Sequence, residues 1–302
     1  MRNRRISNEQ KWRDRGAESW REEIESPDSA PLPSRVPLIT LLTDFGTTDY
    51  FVGAMKGAIL SVNPEARIVD ITHEIPPHDI RAGAFILNFS YRTFPPETIH
   101  VAVVDPGVGS MRRPLLVRAG SQFFIGPDNG LFSYIFYDYD PDVEVFVLTR
   151  QQYFRQPVSR TFHGRDIFAP VAAALSKGVP PEELGSEVSD DYFRLDFDFH
   201  PMINGDGALE AAIIHIDHFG NCVTNLAHRD FAEEMTERWE KIVINGHEIK
   251  SFRQFYAQAD DDRDGLFAVW GSAGFLEIVA FQDSAARRLN ARRGQKFIVV
   301  ER

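Results

Sequence analysis

The chain has 302 residues, 43% of them hydrophobic, which supplies enough apolar surface for two compact domains and excludes a disordered protein. Its formal charge of -11 and pI near 5.3, with no run of lysines and arginines among aromatics, argue against nucleic acid as a partner. A single cysteine, Cys222, excludes an internal disulfide and a multi-cysteine zinc site and suits a reducing, cytoplasmic setting; no run approaches the ~20 apolar residues of a membrane helix.

Residues 1–36 mix Arg2, Arg4, Arg5, Glu22, Glu23 and Glu25 with polar residues and contain no apolar stretch, so they read as a flexible tail closed by Pro31-Leu32-Pro33 rather than a targeting signal. From Pro37 the pattern changes. Leu38-Ile39-Thr40-Leu41-Leu42 is a buried strand running into Thr43-Asp44-Phe45-Gly46. Phe51, Met55, Ala58, Ile59 and Val62 fall at helical spacing, and Pro64 closes that helix. A second strand over 67–72, a helix over about 79–94 ended by Pro95 and Pro96, and a third strand over 99–104 follow. Strand and helix alternating with such short joints predict right-handed βαβ units and a mostly parallel sheet covered on both faces. Further strands are expected at 115–118, 123–125 and 143–148, and a helix over about 165–177 stops at Gly178 and Pro180.

The α/β N-terminal domain is expected to span 37–203, with the boundary in the irregular stretch 187–206, where Asn204-Gly205-Asp206-Gly207 is a turn cluster. Residues 207–302 show many short strands and few helices: 208–216, 222–226, 241–244, a hairpin signal at Asn245-Gly246, 266–269, 275–281 and 296–300. They predict a smaller β-rich barrel or sandwich. Asp260 to Asp264 form an acidic loop.

Ligands of open parallel sheets sit beyond the carboxyl ends of the strands, where this chain places Asp44, Thr72-His73 and Asp105. Each aspartate could equally cap a turn. No phosphate-binding glycine loop accompanies them: Gly-x-Gly-x-x-Gly and Gly-Lys-Ser/Thr are both missing, and Gly107-Val108-Gly109 leads into another strand. A carboxylate-lined crevice without a phosphate cradle suits a neutral or cationic small molecule. The second dense cluster, Phe162-His163-Gly164-Arg165-Asp166, opens a helix. His163 there is either a hydrogen-bonded structural residue or an acid–base group oriented by Asp166 or Asp105.

Six motifs in order resemble the S-adenosylmethionine hydroxide adenosyltransferase family, the water-using relatives of fluorinases and chlorinases. They are Thr43-Asp44-Phe45-Gly46, Val69-Asp70-Ile71-Thr72-His73, Val104-Asp105-Pro106-Gly107-Val108-Gly109, Gly126-Pro127-Asp128-Asn129-Gly130-Leu131, Phe162-His163-Gly164-Arg165-Asp166 and Ile216-Asp217-His218-Phe219-Gly220-Asn221. The resemblance implies metal-independent, cofactor-free hydrolysis of S-adenosylmethionine to adenosine and methionine. It also implies a homotrimer whose active sites lie at subunit interfaces. The family's water-handling residues fall on Asp105, Arg112 and His163, and its ribose carboxylate on Asp44, with Asp49 near the methionine end. Asn221 matches an adenine-edge contact, Tyr256 an aromatic over the base and Ser272 a methionine contact; Asp217, Phe219 and Glu277 flank them. Asn221 and Ser272 also read as turn residues. Where the halide-using relatives carry a pocket tryptophan, serine and tyrosine, this chain has His78, Gly164 and Asp105, and a carboxylate in place of the tyrosine favours water over a halide. Two other functions fit the same residues: a metal-dependent hydrolase using Asp44, Asp70, Asp105, His163 and Asp166, and a non-catalytic module that binds adenosine or S-adenosylmethionine.

Overall fold

The computed structural model describes residues 38–189, 191–196, 200–205, 207–231, 237–258 and 265–302, and the expected tail and the acidic loop at 260–264 lie outside them. The chain divides into two compact units, one ending at Leu195 and one beginning at Asp196.

In the first unit, β1 (Leu38–Thr43), α1 (Phe51–Val62), β2 (Arg67–Thr72), α2 (Ile80–Tyr91) and β3 (Ile99–Val103) alternate as the apolar runs require. Then come β4 (Pro114–Ala119), β5 (Gln122–Pro127), α3 (Ser133–Tyr139), β6 (Val143–Leu148), a π-helical turn (Gly164–Phe168), α4 (Ala169–Ser176), α5 (Pro181–Leu184) and β7 (Gly185–Val188). The sheet order is β2-β1-β3-β5-β4-β6-β7. Parallel pairing is confined to β2-β1-β3-β5, while β4, β6 and β7 pair antiparallel, so the expected mostly parallel sheet is parallel in one half only. The reason is chain length: only Gly120 and Ser121 join β4 to β5, and a parallel pair needs a crossover of a dozen residues or more.

Side chains alternate across the sheet with period two. Ile39 and Leu41 of β1 and Val101 and Val103 of β3 pack with Met55, Ile59, Val171 and Ala172 in one core against α1 and α4. The opposite face takes α2 and α3. Asp79 caps α2 by accepting a hydrogen bond from Ala82 N at 3.0 Å, and Phe85, Leu87 and Tyr91 are buried beneath that helix. Within the sheet His100 is fully buried; its Nδ1 meets Thr40 Oγ1 at 2.7 Å and its ring stacks on Phe124 at 5.2 Å.

The second unit is β-rich: β8 (Met202–Ile203), β9 (Leu209–Ile216), β10 (Cys222–Ala227), β11 (Trp239–Ile244), β12 (His247–Ile249), β13 (Ser251–Arg253), β14 (Leu266–Trp270), β15 (Phe275–Ala280), α6 (Ala285–Leu289) and β16 (Lys296–Glu301). They form one sheet in the order β12-β11-β16-β9-β10-β15-β14-β13, with β8 on β9, and β12 returns against β14 to make a nearly closed barrel. Asn245 and Gly246, both at positive φ, turn β11 into β12, as an Asn-Gly hairpin demands. Cys222 is fully buried in the barrel core, and burial pushes its thiol up to about 12.

Candidate functional site

Beyond the carboxyl ends of β1, β2 and β3, three loops carry the polar residues of the first unit. Gly46 N donates to His73 O at 2.8 Å, tying the first two loops together. Asp44 follows β1 with its side chain only 8% exposed, and its Oδ2 accepts the backbone N–H of His78 at 2.8 Å. His78 adopts φ 67, a left-handed backbone, while its ring stays in solvent. Asp49 lies exposed in the bend before α1.

The loop after β3 holds Asp105 and Arg112 side by side. Arg112 Nε donates to Asp105 Oδ1 at 2.9 Å, and Arg112 Nη2 makes a second bond to Asp105 Oδ2. Arg112 Nη2 also meets His163 Nδ1 at 2.7 Å. A guanidinium only donates, so His163 Nδ1 accepts and the proton of the neutral ring resides on Nε2. Arg112 Nη1 is buried and has no hydrogen-bond partner among the described residues. Burial lowers the His163 pKa below its ordinary value, and the Arg112 charge lowers it further, against the opposing fields of Asp105 and Asp166.

Two local features deliver His163 to this place. Asp166 is fully buried and accepts from Arg165 Nε at 2.7 Å, Arg165 Nη2 at 2.9 Å, Arg155 Nη1 at 3.2 Å and Ser159 N at 2.8 Å, which folds the segment before the π-helical turn onto itself. Gly109, at φ 78, lies so close to this segment that a Cβ would sit 2.2 Å from Arg160 O. The same segment brings Phe162 against Phe45, Phe51 and Tyr50, with ring centroids 6.0, 5.3 and 6.4 Å away. At Gly164 a Cβ would meet Met55 Sδ at 3.2 Å and Phe45 Cε2 at 3.6 Å, so this position faces apolar neighbours.

Three of the carboxylates considered as metal ligands, Asp70, Asp105 and Asp166, each meet a lysine or arginine of the protein, while Asp44 accepts the backbone N–H of His78. Asp70 pairs with Lys56 at 2.6 Å and His73 Nε2 at 3.1 Å, Asp166 with Arg165 and Arg155, and Asp105 with Arg112. No group of three or more ligand-type side chains forms a metal cluster among the described residues.

In the second unit the tight turn between β9 and β10 is organised by Asp217. Its Oδ1 accepts Phe219 N at 2.9 Å and Asn221 N at 2.8 Å, and its Oδ2 accepts Asn221 Nδ2 at 2.8 Å. That leaves the buried Asn221 its amide oxygen, while Phe219 is 75% exposed. Tyr256 OH donates to Glu277 Oε2 at 2.8 Å. Glu277 is buried, which raises its pKa, with Asp217 adding to the rise, so Asp217, Tyr256 and Glu277 are electrostatically coupled. A Cβ on Gly271 would fall 1.9 Å from Glu277 Oε1, so glycine is needed there. Ser272 is exposed on the turn joining β14 and β15. The structure therefore gathers Asp105, Arg112 and His163 in one cluster and Asp217, Asn221, Tyr256 and Glu277 in another. Asp49 and Ser272 join neither by a hydrogen bond. The aromatic wall of Tyr50, Phe51 and Phe162 escaped sequence reasoning, although its residues stand within the helix and histidine motifs.

Comparison with known proteins gives a consistent picture. Residues 39–185 match the SAM hydroxide adenosyltransferase N-terminal domain and residues 211–298 its C-terminal domain. The chain is 35% identical over 266 residues to the (R)-S-adenosyl-L-methionine hydrolase of Methanocaldococcus jannaschii, spanning 84% of this chain and 92% of that one. It is 29% identical over 218 residues to the fluorinase of an Actinoplanes species, spanning 64% of this chain and 73% of that one. Among solved structures, an uncharacterized conserved protein from Thermotoga maritima superposes with a TM-score of 0.78 at 31% identity, covering 87% of this chain and all of that one.

Proposed function

This chain belongs to the SAM hydroxide adenosyltransferase family and hydrolyses S-adenosyl-L-methionine; we propose that water attacks the ribose 5′ carbon in line, releasing adenosine and L-methionine, with Asp105, Arg112 and His163 handling the water. One observation carries this reading: Arg112 bridges Asp105 and His163 while its buried Nη1 is left without a partner, beside a histidine whose Nε2 bears its proton. A carboxylate that accepts the water's proton and one N–H donor on one lone pair leave the other lone pair free to attack carbon, and the second N–H can reach the oxygen once it has become an alcohol.

Methionine leaves as a neutral thioether and needs no acid. The demand falls on the nucleophile, because forming free hydroxide from water of pKa about 15.7 at pH 7 costs roughly 12 kcal/mol. That cost is avoided if the proton leaves late. As the C–O bond forms, the water becomes an oxonium ion, acidic enough to give its proton to the carboxylate of Asp105. Proton transfer of this kind contributes about 10²–10⁴-fold, and holding the oxygen in line adds up to ~7–11 kcal/mol. His163, with Nδ1 engaged by Arg112, serves as a donor to the oxygen rather than as the base.

Asp44 is proposed to hold the ribose hydroxyls, with Asp49 nearer the methionine end. Asn221 is proposed to meet the adenine edge through its amide oxygen, Tyr256 to cover the base and Ser272 to contact the methionine portion, with Asp217, Phe219 and Glu277 around them. We propose a homotrimer in which neighbouring subunits complete each site, active in the cytoplasm without metal or cofactor. The ion pair of Arg112 with Asp105 supports water over a halide, since the carboxylate cancels the charge that would attract an anion.

Incubation of the full chain with S-adenosylmethionine, followed by chromatography, is expected to give adenosine and methionine in equal amounts, unaffected by EDTA. A binding module would return the substrate unchanged, and a metal-dependent hydrolase would stop with chelator and restart with metal. The relatives are named for the (R) sulfonium epimer. Cleavage destroys the sulfonium centre, so both epimers give the same products, and any preference lies in how each is bound and aligned for attack; initial rates on the separated epimers measure it.

A further inference from the structure

We propose that Asp128 and Asn129 are positioning residues, holding at both its ends the segment that carries Asp105 and Arg112. The proposal builds on the assignment of Asp105, Arg112 and His163 made above, and it gives a role to the Gly126-Pro127-Asp128-Asn129-Gly130-Leu131 motif, which that assignment leaves without one.

The segment starts at Val104 and ends at Arg113. At the first end, Asn129 Nδ2 donates to Val104 O at 2.8 Å, and Asn129 Oδ1 accepts Leu131 N at 3.2 Å. At the other end, Arg113 is held three times by Asp128: Asp128 N donates to Arg113 O at 2.9 Å, and Asp128 Oδ2 accepts from Arg113 Nε at 2.9 Å and Nη2 at 2.6 Å. Asp128 is itself fixed, because its Oδ1 accepts Phe193 N at 2.7 Å. Gly126 lets β5 approach β3 to within a distance no side chain would permit, since its Cβ would lie 2.3 Å from Ala102 O.

Between these anchors the backbone hydrogen bonds among the described residues stay within the segment, Val108 N to Asp105 O at 3.2 Å, Ser110 N to Gly107 O at 3.1 Å and Arg112 N to Ser110 Oγ at 3.3 Å, with Gly109 packed against Arg160. The distance between its two ends, and with it the direction in which Asp105 and Arg112 project toward His163, is thus set from outside the segment. Neither Asp128 nor Asn129 makes a hydrogen bond to Asp105, Arg112 or His163, which separates them from the groups that meet the water. Displacement of a reacting group by about 1 Å can cost ~10²-fold in rate, so two neighbouring residues fixed by strand β5 are well placed to control turnover without touching substrate.

Asn129→Asp keeps the acceptor for Leu131 N but turns an oxygen toward the Val104 carbonyl, and Asp128→Asn removes the charge that Arg113 grips. Both are tested in the full-length protein, with Arg113→Lys as a milder change that keeps the charge and loses the paired geometry. Expected is a fall in kcat of about 10–100-fold for the first two and less for the third, with KM changed by less than about threefold and the melting temperature within about 3 °C of the parent. A second readout does not depend on turnover: the NMR titration of the His163 ring, assigned by its loss in His163→Gln. The charged groups facing that ring are Arg112, Asp105 and Asp166, and Arg112 alone among them holds its midpoint down. Because the loosened segment carries both Arg112, which lowers the midpoint, and Asp105, which raises it, the midpoint is expected to move away from that of the parent. Folded variants with the parental His163 titration and parental kcat would overturn the proposal, as would a loss of kcat explained wholly by a loss of folded protein. A parent chain that releases no adenosine, with a titration that still moves in the variants, would remove the hydrolase assignment and leave the bracing intact.

Discussion

A guanidinium presents five N–H groups in one plane, and Arg112 directs one from Nε and one from Nη2 to Asp105 and the other Nη2 hydrogen to His163, leaving Nη1 for the water proposed above. Lysine cannot reproduce that fork, so Arg112→Lys is expected to lower kcat at least 100-fold in steady-state assays. Asp105→Ala and His163→Ala are expected to lose at least 100-fold in turnover while adenosine affinity, measured by calorimetry, changes little; unchanged turnover in both removes the assigned roles. The pH profile reads His163 directly. Its pKa is lowered, by burial first and by Arg112 second, so the ring stays neutral below the ordinary value of 6.5. Turnover that needs the neutral ring is therefore retained as pH falls through 6.5 and declines only further into acid. An acid limb above 6.5 would show that a different protonation state is the working one.

At the scale of elements, the loops after β1 and β3 and the segment before the π-helical turn are held by contacts that a side chain would block. Gly109→Ala combines a left-handed backbone with a Cβ 2.2 Å from Arg160 O, and is expected to destabilise by roughly 2 kcal/mol and to lower kcat by separating Asp105 from His163. Denaturant midpoints and single-turnover rates measure the two effects. Much of this was legible in the residues themselves. Continuous apolar runs such as Leu38 to Leu42 mark buried strands, and Pro64 closes α1 as the pattern says, whereas α2 stops at Tyr91, short of the expected end at Pro95. Strand β13 carries three residues, too few for any period to emerge, and pairs with β14 at Phe267 to Val269, well beyond it in sequence; β12 is as short, but the Asn245-Gly246 turn signal announces it. Helix α6 did leave a signal: Ser284 caps it by accepting Arg287 N at 3.1 Å, and Asn290 ends it with a left-handed backbone. The cluster was readable where a motif supplies it with its own side chains, as in Asp105 and His163. It was not readable where side chains act by gripping backbone, as Asn129 does, because a carbonyl partner leaves no trace in sequence.

At the scale of the whole molecule, the first unit has a built-in response to acid. His100 is fully buried within the sheet, and burial pushes its pKa down to about 4 from 6.5. The unfolded chain therefore takes up this proton first as pH falls. The corresponding stability is complete above pH 6.5 and is lost between 6.5 and 4, to a total of about 3 kcal/mol. Urea midpoints measured from pH 7.5 to 4.5 are expected to fall more steeply in the parent than in His100→Gln, which carries no titrating ring; equal slopes would assign the acid sensitivity elsewhere. The proposed trimer predicts a solution mass three times the 34.3 kDa of one chain, as light scattering will show. The lone thiol has a practical corollary. With Cys222 enclosed in the barrel and ionising only near pH 12, maleimides and iodoacetamides should find nothing to alkylate in the native protein. A cysteine installed at Met111, 97% exposed and next to Arg112, would then take a fluorophore or spin label stoichiometrically, giving a reporter beside the cluster of Asp105, Arg112 and His163 without any background to subtract.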